Sequence, residues 1–311
     1  MKRSVGEILR LGFESMLANW PLLIIRIVES VVLVVMVIVA IVAVIVPIAV
    51  SFGAGNSLPA GDRGDVVTLI LTIIGTHAVM ILYILGLMLI VTTVWLMVHS
   101  FVTAGSASVY VASLRQAAAI PVATRDHMNA FTTERWFQGG KASWWTVFWI
   151  YNIAWSAGFV IMFVPFAFLA VAVIVLRENT AAAAITGCLG AFVVLVLILP
   201  VAVVTGIWTQ KAIVDCAARN TGAMDSLRAA WREFRADVGR HVAVTAVMLI
   251  VSFGVALVVG SMSAMVSLGH HPGGLMMIPM QFSSSILNSI FSAAVGAWFL
   301  ACFAALAVEP G

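Results

Sequence analysis

Six stretches of this chain stay apolar for longer than a soluble core can use: roughly residues 21–50, 66–98, 143–176, 181–210, 242–268 and 282–308. A hydrocarbon core about 30 Å thick is crossed by about 20 helical residues, and every stretch exceeds that length. Backbone in lipid must satisfy its own N–H and C=O groups, which leaves helices and closed barrels. The short apolar–polar alternation of barrel strands is missing here. The sequence therefore predicts an all-α integral membrane protein, a six-transmembrane helical bundle forming a single membrane domain over 1–311. Composition agrees, because 63% hydrophobic and 9% charged residues exclude a soluble domain of 311 residues.

Lysine and arginine set the expected orientation. Lys2, Arg3 and Arg10 precede the first run, and Arg115, Arg125, Arg135 and Lys141 follow the second. Lys211, Arg219, Arg228, Arg232, Arg235 and Arg240 follow the fourth, while only Arg63 and Arg177 lie in connections on the opposite side. Both termini are expected in the cytoplasm of a bacterial cell, with the chain in the inner membrane. The net charge of +3 is this bias in sum and gives no reason to expect nucleic acid. The opening MKRSVGEILRLGF is basic but interrupted by acidic and polar residues, so it reads as retained and not as a cleaved signal. Cys188, Cys216 and Cys302 are too widely spaced for a metal cluster or a disulfide framework.

A pattern recurs ahead of the hairpins. Val5, Ile8, Leu9, Phe13, Met16, Leu17 and Trp20 fall at helical spacing, with Arg10 and Glu14 on the other side, and Ser4 with Glu7 matches a capping box. In GAMDSLRAAWREFRADVGRH, Leu227, Ala230, Trp231, Phe234 and Val238 repeat the design. Leu9-Arg10 aligns with Leu227-Arg228 and Gly12-Phe13 with Ala230-Trp231, without a gap. Met128, Ala130-Phe131 and Trp136 form a weaker third copy. The expected architecture is three repeats of an interfacial amphipathic helix plus a membrane hairpin, over about 4–98, 126–210 and 222–308. Small residues recur every four positions as Ser252, Ala256, Gly260 and Ala264, and again as Ser285, Ser289, Ala293, Ala297, Ala301 and Ala305. Such ladders let helices approach closely, either within one chain or against a second copy.

RLGFESMLANWPLL, the six spans and AIVDCAARNTGAMDSLRAAWREFR together resemble uncharacterised bacterial multi-pass proteins related to the membrane domain of glycerophosphodiester phosphodiesterases. The likeness covers most of the chain through pattern and topology. It implies a fold and a membrane location. It implies no phosphodiesterase activity, since the soluble catalytic domain of the fusion members has no counterpart in this sequence.

No catalytic signature is present: no HExxH, Walker loop or GxSxG, and no pair of carboxylates within a span. No enzyme activity and no cofactor are expected. Within the spans, His77, Tyr83, Asn152 and Asn288 suit hydrogen bonds between helices. Arg125-Asp126-His127 reads as a helix cap or solvated loop. Met262, Met265, His270, His271, Met276, Met277 and Met280 have copper-compatible donors, although flexible methionines equally fill an irregular interface. Arg228, Arg232 and Arg235 are candidate contacts for anionic lipid headgroups.

The sharpest question lies in LLIIRIVESVV, where Arg26 and Glu29 enter the first span three residues apart. If Val31–Val50 crosses the bilayer, they form a pair at the headgroups, with the arginine stem reaching toward water. If Pro21–Ala40 does, they are buried and bind the hairpins together. The functional expectation is a non-enzymatic accessory or scaffolding subunit of a membrane assembly, its partners being lipids, other subunits or further copies of itself. A transporter or lipid-handling protein with a groove between the hairpins is the alternative.

Overall fold

The computed structural model describes residues 3–53, 66–120, 124–176, 179–268 and 277–308. In chain order the helices are α1 (Val5–Ala18), α2 (Pro21–Gly53), α3 (Val66–Ala118), α4 (Thr133–Val175), α5 (Thr180–Arg219), α6 (Ala223–Ala236), α7 (Val238–Leu268) and α8 (Met277–Ala307), with a 3-10 turn at Arg125–Met128 before α4. No strand occurs among the described residues. Six of the helices, α2–α5, α7 and α8, are long and apolar enough to cross a membrane.

Local chemistry explains most boundaries. The Ser4 hydroxyl accepts the Glu7 N–H at 3.3 Å and starts α1. Pro21 opens α2, where its missing donor costs nothing. Thr132 caps α4 by accepting the Arg135 N–H at 3.1 Å, and Asn220 ends α5 in the left-handed region at φ 53°. Three helices outrun their apolar stretches: α3 continues to Ala118, α4 begins at Thr133 and α5 ends at Arg219. Extending an existing helix is cheap, and in α4 the weak helix formers Gly139 and Gly140 are held by close packing, where an added Cβ would collide with Ser108 and Phe101 of α3. Consequently the segment holding Met128, Phe131 and Trp136 is not a separate amphipathic helix like α1 or α6. It is a 3-10 turn carrying Met128, an extended link over 129–132 that holds Phe131, and the first turn of α4 with Trp136.

The chain forms two compact units, Val28–His99 and the remainder, Met1–Ile27 with Ser100–Gly311. In the larger unit the core gathers where α1, α6 and the ends of α3, α5 and α8 meet. Ile8, Tyr110, Leu114, Ile213, Leu227, Leu300 and Phe303 are all buried there. Backbones touch where Gly12 of α1 meets Cys302 of α8: a Cβ on Gly12 would lie 2.5 Å from the cysteine Sγ. The α8 ladder of Ala293, Ala297, Ala301 and Ala305 is buried, as close packing requires.

Several polar groups in this core form a connected network, although the buried Tyr110 hydroxyl has no hydrogen-bond partner among the described residues. Asn19, at the C-terminus of α1, donates to the carbonyls of Ser15 (2.8 Å) and Met128 (2.9 Å) and accepts the Ala130 N–H at 2.9 Å. Ser113 of α3 joins them by donating to the Met128 carbonyl at 2.6 Å. Basic residues finish other helices. Arg3 donates to the Ala305 carbonyl (2.9 Å), Arg115 to Ala218 (2.6 Å) and Arg125 to Leu17 (3.1 Å). Each guanidinium thus meets the orphan carbonyls and negative dipole end of a helix other than its own.

Candidate functional site

The densest cluster of ionisable groups in the larger unit lies where α5, α6 and α7 converge. The amphipathic pattern of α6 turns Leu227, Ala230 and Phe234 inward, and the same rotation brings Glu233 against the last turns of α5. Lys211 of α5 is only 1% exposed. Its ammonium donates to Asp215 Oδ1 at 2.9 Å, one turn along the helix, and lies 2.6 Å from Glu233 Oε2. Arg219 pairs with the other oxygen of Glu233. A lone buried ammonium would be prohibitive, and two carboxylates make this one tolerable. Partial burial pushes the Glu233 pKa up, but hydrogen bonds and charge from Lys211 and Arg219 outweigh that and hold it below the usual glutamate range.

A cavity of about 190 Å³ opens beside these groups, lined by Lys211, Glu233, Asp237, Arg240 and His241 with Ala236 and Leu306. Arg240 pairs with Asp237 at 2.8 Å. His241 Nδ1 lies 2.8 Å from the Asp237 carbonyl, which can only accept, so this nitrogen carries the proton. Its Nε2 is then an acceptor, and neither it nor Asp215 Oδ2 has a hydrogen-bond partner among the described residues. The lining is balanced between cations and carboxylates. It suits small polar donors better than a bare anion.

In the smaller unit, Glu29 of α2 is 8% exposed and its carboxylate lies 2.5 Å from His99 Nδ1 on α3. Trp95 stacks on that imidazole at 5.1 Å, one turn back. Toward the other end of the hairpin, Tyr83 donates to the Ala43 carbonyl at 3.4 Å. Between these two links lies a groove of about 440 Å³, lined by apolar side chains such as Leu33, Val37, Ala40, Ile84 and Met88. Arg26, in the larger unit, donates to Thr103 Oγ1 at 3.0 Å. Both charges of the sequence pair therefore have partners on α3.

Arg228, Arg232 and Arg235 are exposed on α6, and Arg228 lies 3.8 Å from Asp225. Asn152 bonds within its own helix, donating to the Phe148 carbonyl at 2.8 Å, while Asn288 is exposed. Arg125-Asp126-His127 forms the 3-10 turn, with His127 Nδ1 accepting the Thr124 N–H at 3.2 Å. The side chains of His77 and of the stretch from Met262 to Met280 lie outside the described residues. Among those described, no group of three or more His, Cys, Asp or Glu side chains is placed to hold a metal ion. Sequence reasoning passed over His99, Lys211, Asp215 and His241. The spacing of Lys211 and Asp215, one helical turn apart with opposite charge, was a usable signal.

Compared with protein-family models, curated proteins and solved structures, the chain matches none.

Proposed function

We propose that this chain is a non-enzymatic multi-pass protein of a bacterial inner membrane, with both termini cytoplasmic, serving as an accessory or scaffolding subunit of a membrane assembly. One contrast carries the reading. The larger unit is tied together at its basic end by the Asn19 and Lys211 networks, yet the most apolar stretches of three of its spans are largely uncovered: 6% is buried in α4, 6% in α5 and 22% in α7, against 50% in α8. Trp145, Trp149, Trp155 and Phe159 stand exposed along α4. A firm base holding uncovered helix faces is what a subunit needs to receive neighbours within the bilayer. The experiment is affinity purification in mild detergent followed by mass measurement of the particle. A partner or a second copy is expected, and a particle that stays monomeric with no partner sinks the proposal.

We further propose that the fold arose from the three repeats. Trp298 of α8 donates to the Leu9 carbonyl at 3.0 Å and meets Phe13 edge-on at 5.2 Å. Trp208 of α5 donates to the Leu227 carbonyl at 2.8 Å and meets Trp231 edge-on at 5.8 Å. The register that aligns Leu9 with Leu227 also aligns Phe13 with Trp231. Each amphipathic helix thus docks on the second helix of a hairpin through the same two contacts. At the third position Trp136 meets Phe101 of α3 edge-on at 5.4 Å, although its segment has merged into α4. The likeness to phosphodiesterase membrane domains belongs with this reading as a fold and a location.

Lipid handling is the second reading, favoured by the α2–α3 groove. Its lining from Leu33 to Ile45 spans about 18 Å of helix, close to the roughly 15 Å depth of one leaflet. Glu29 and His99 stand beyond one end as headgroup partners. Native mass spectrometry of the purified protein checks this: retained lipid should fall when Ala40→Phe fills the groove, and unchanged retention counts against it.

A further inference from the structure

We propose that the outer face of α7 and α8 is the contact through which two copies of this chain pair about a two-fold axis. The proposal rests on the assembly reading above and names its interface. The two small-residue ladders have different fates. In that of α8, Ala293, Ala297, Ala301 and Ala305 are buried within the chain, whereas Ser252, Ala256 and Gly260 of α7 are exposed. These residues would permit a close approach, yet among the described residues none makes one at Gly260, where an added Cβ meets no atom within 4 Å.

The α7 ladder borders a groove of about 260 Å³ between α7 and α8, whose rim includes Ser252, Ala256, Asn288, Ser292 and Gly296. Two polar groups make it unsuited to lipid tails alone. Thr245, 5% exposed, lines the groove, and its hydroxyl has no hydrogen-bond partner among the described residues. Asn288 is exposed about 15 Å along α8 from Trp298. Trp298 is bonded to the amphipathic α1, which marks the interfacial level, so Asn288 lies near the middle of a hydrocarbon core about 30 Å thick. A carboxamide there needs both a donor and an acceptor, and acyl chains supply neither.

A second copy supplies both. A carboxamide is complementary to itself, so Asn288 of each copy donates to and accepts from its equivalent across a two-fold axis. Phe253 and Leu257, 67% and 57% exposed beside the ladder, are the knobs that seat in the opposing groove.

Disulfide trapping in native membranes tests the pairing. In a Cys188→Ser background, oxidation should link Ala256→Cys into a dimer, while Val258→Cys, exposed on the opposite face of α7, should link far less. Adding Asn288→Leu should lower the Ala256→Cys dimer about tenfold, the effect of losing an interhelical hydrogen bond or two, and Asn288→Gln should restore most of it. Melting of each variant in detergent should match the background protein, which separates loss of pairing from loss of fold. A dimer seen by mass measurement without trapping at Ala256→Cys overturns this interface and leaves the assembly reading standing. Trapping of a different protein at that position overturns the choice of occupant. A strict monomer with no partner removes both.

Discussion

Lys211 shows how much a single side chain fixes here. Its ammonium is sealed between Asp215 and Glu233, so Lys211→Met should leave buried carboxylate charge uncompensated and cost about 3–5 kcal/mol. Removing Asp215 as well should recover part of that loss, because groups in one network do not act additively. Thermal unfolding of Lys211→Met and of Lys211→Met with Asp215→Leu measures the difference, and a double variant no more stable than the single one contradicts the network. Glu233 gives the cluster a pH signature. Its folded pKa is depressed, so its contribution is complete above the unfolded value of about 4.3 and fades as pH falls through the folded value below it. The stability gap between wild type and Glu233→Gln should hold from pH 8 to about 5 and close only below about 4. The one-turn spacing of Lys211 and Asp215 was visible in the sequence, but their burial was not, since it depends on Glu233 arriving from another helix. Asn19 was still less visible. Its partners Met128 and Ala130 lie more than a hundred residues away, and nothing local distinguishes an asparagine that ties three segments from an ordinary helix cap.

Among elements, the amphipathic helices were the most legible and their docking the least. Periodicity gave α1 and α6, and the Ser4 cap was readable because capping involves neighbours in sequence. The segment of Met128, Phe131 and Trp136, expected as a third amphipathic copy, forms no separate helix. Between Thr133 and Val175 Pro165 is the one proline, Gly139 and Gly140 are accommodated by close packing on α3, and a chain capped at Thr132 continues into the span. What periodicity could not supply was the tryptophan that each amphipathic helix sits on. If Trp208 and Trp298 hold equivalent positions in a repeated unit, their substitutions should have similar consequences. Trp208→Phe and Trp298→Phe each remove one indole hydrogen bond while keeping an aromatic ring against Trp231 or Phe13. Each should lower stability by about 1 kcal/mol. The two variants should also raise protease sensitivity locally, at α6 for the first and α1 for the second. Marked inequality between them would count against a shared docking role.

For the molecule as a whole, the arginines that the proposed orientation places in the cytoplasm also take part in the fold. Basic residues on one side of a membrane protein are ordinarily explained by translocation, and here that distribution was plain in the sequence. The structure adds that Arg3 and Arg115 complete the C-termini of α8 and α5, where their charge opposes the negative end of the helix dipole. Reversing the orientation would therefore carry the folding determinants across the membrane along with the translocation signal. Single cysteines in a Cys188→Ser background read this out in intact cells through a membrane-impermeant maleimide. Asn179→Cys, exposed beside the start of α5, should react from outside. Arg228→Cys, exposed on α6, should react only after the membrane is opened. Replacing Arg115 by lysine keeps the charge but exchanges a planar fork for a point charge, so topology should stay the same while the melting temperature falls. A labelling pattern that inverts in Arg115→Lys would mean that the arginine geometry helps select the orientation, and an unchanged melting temperature would mean that its bond to Ala218 contributes nothing to the fold.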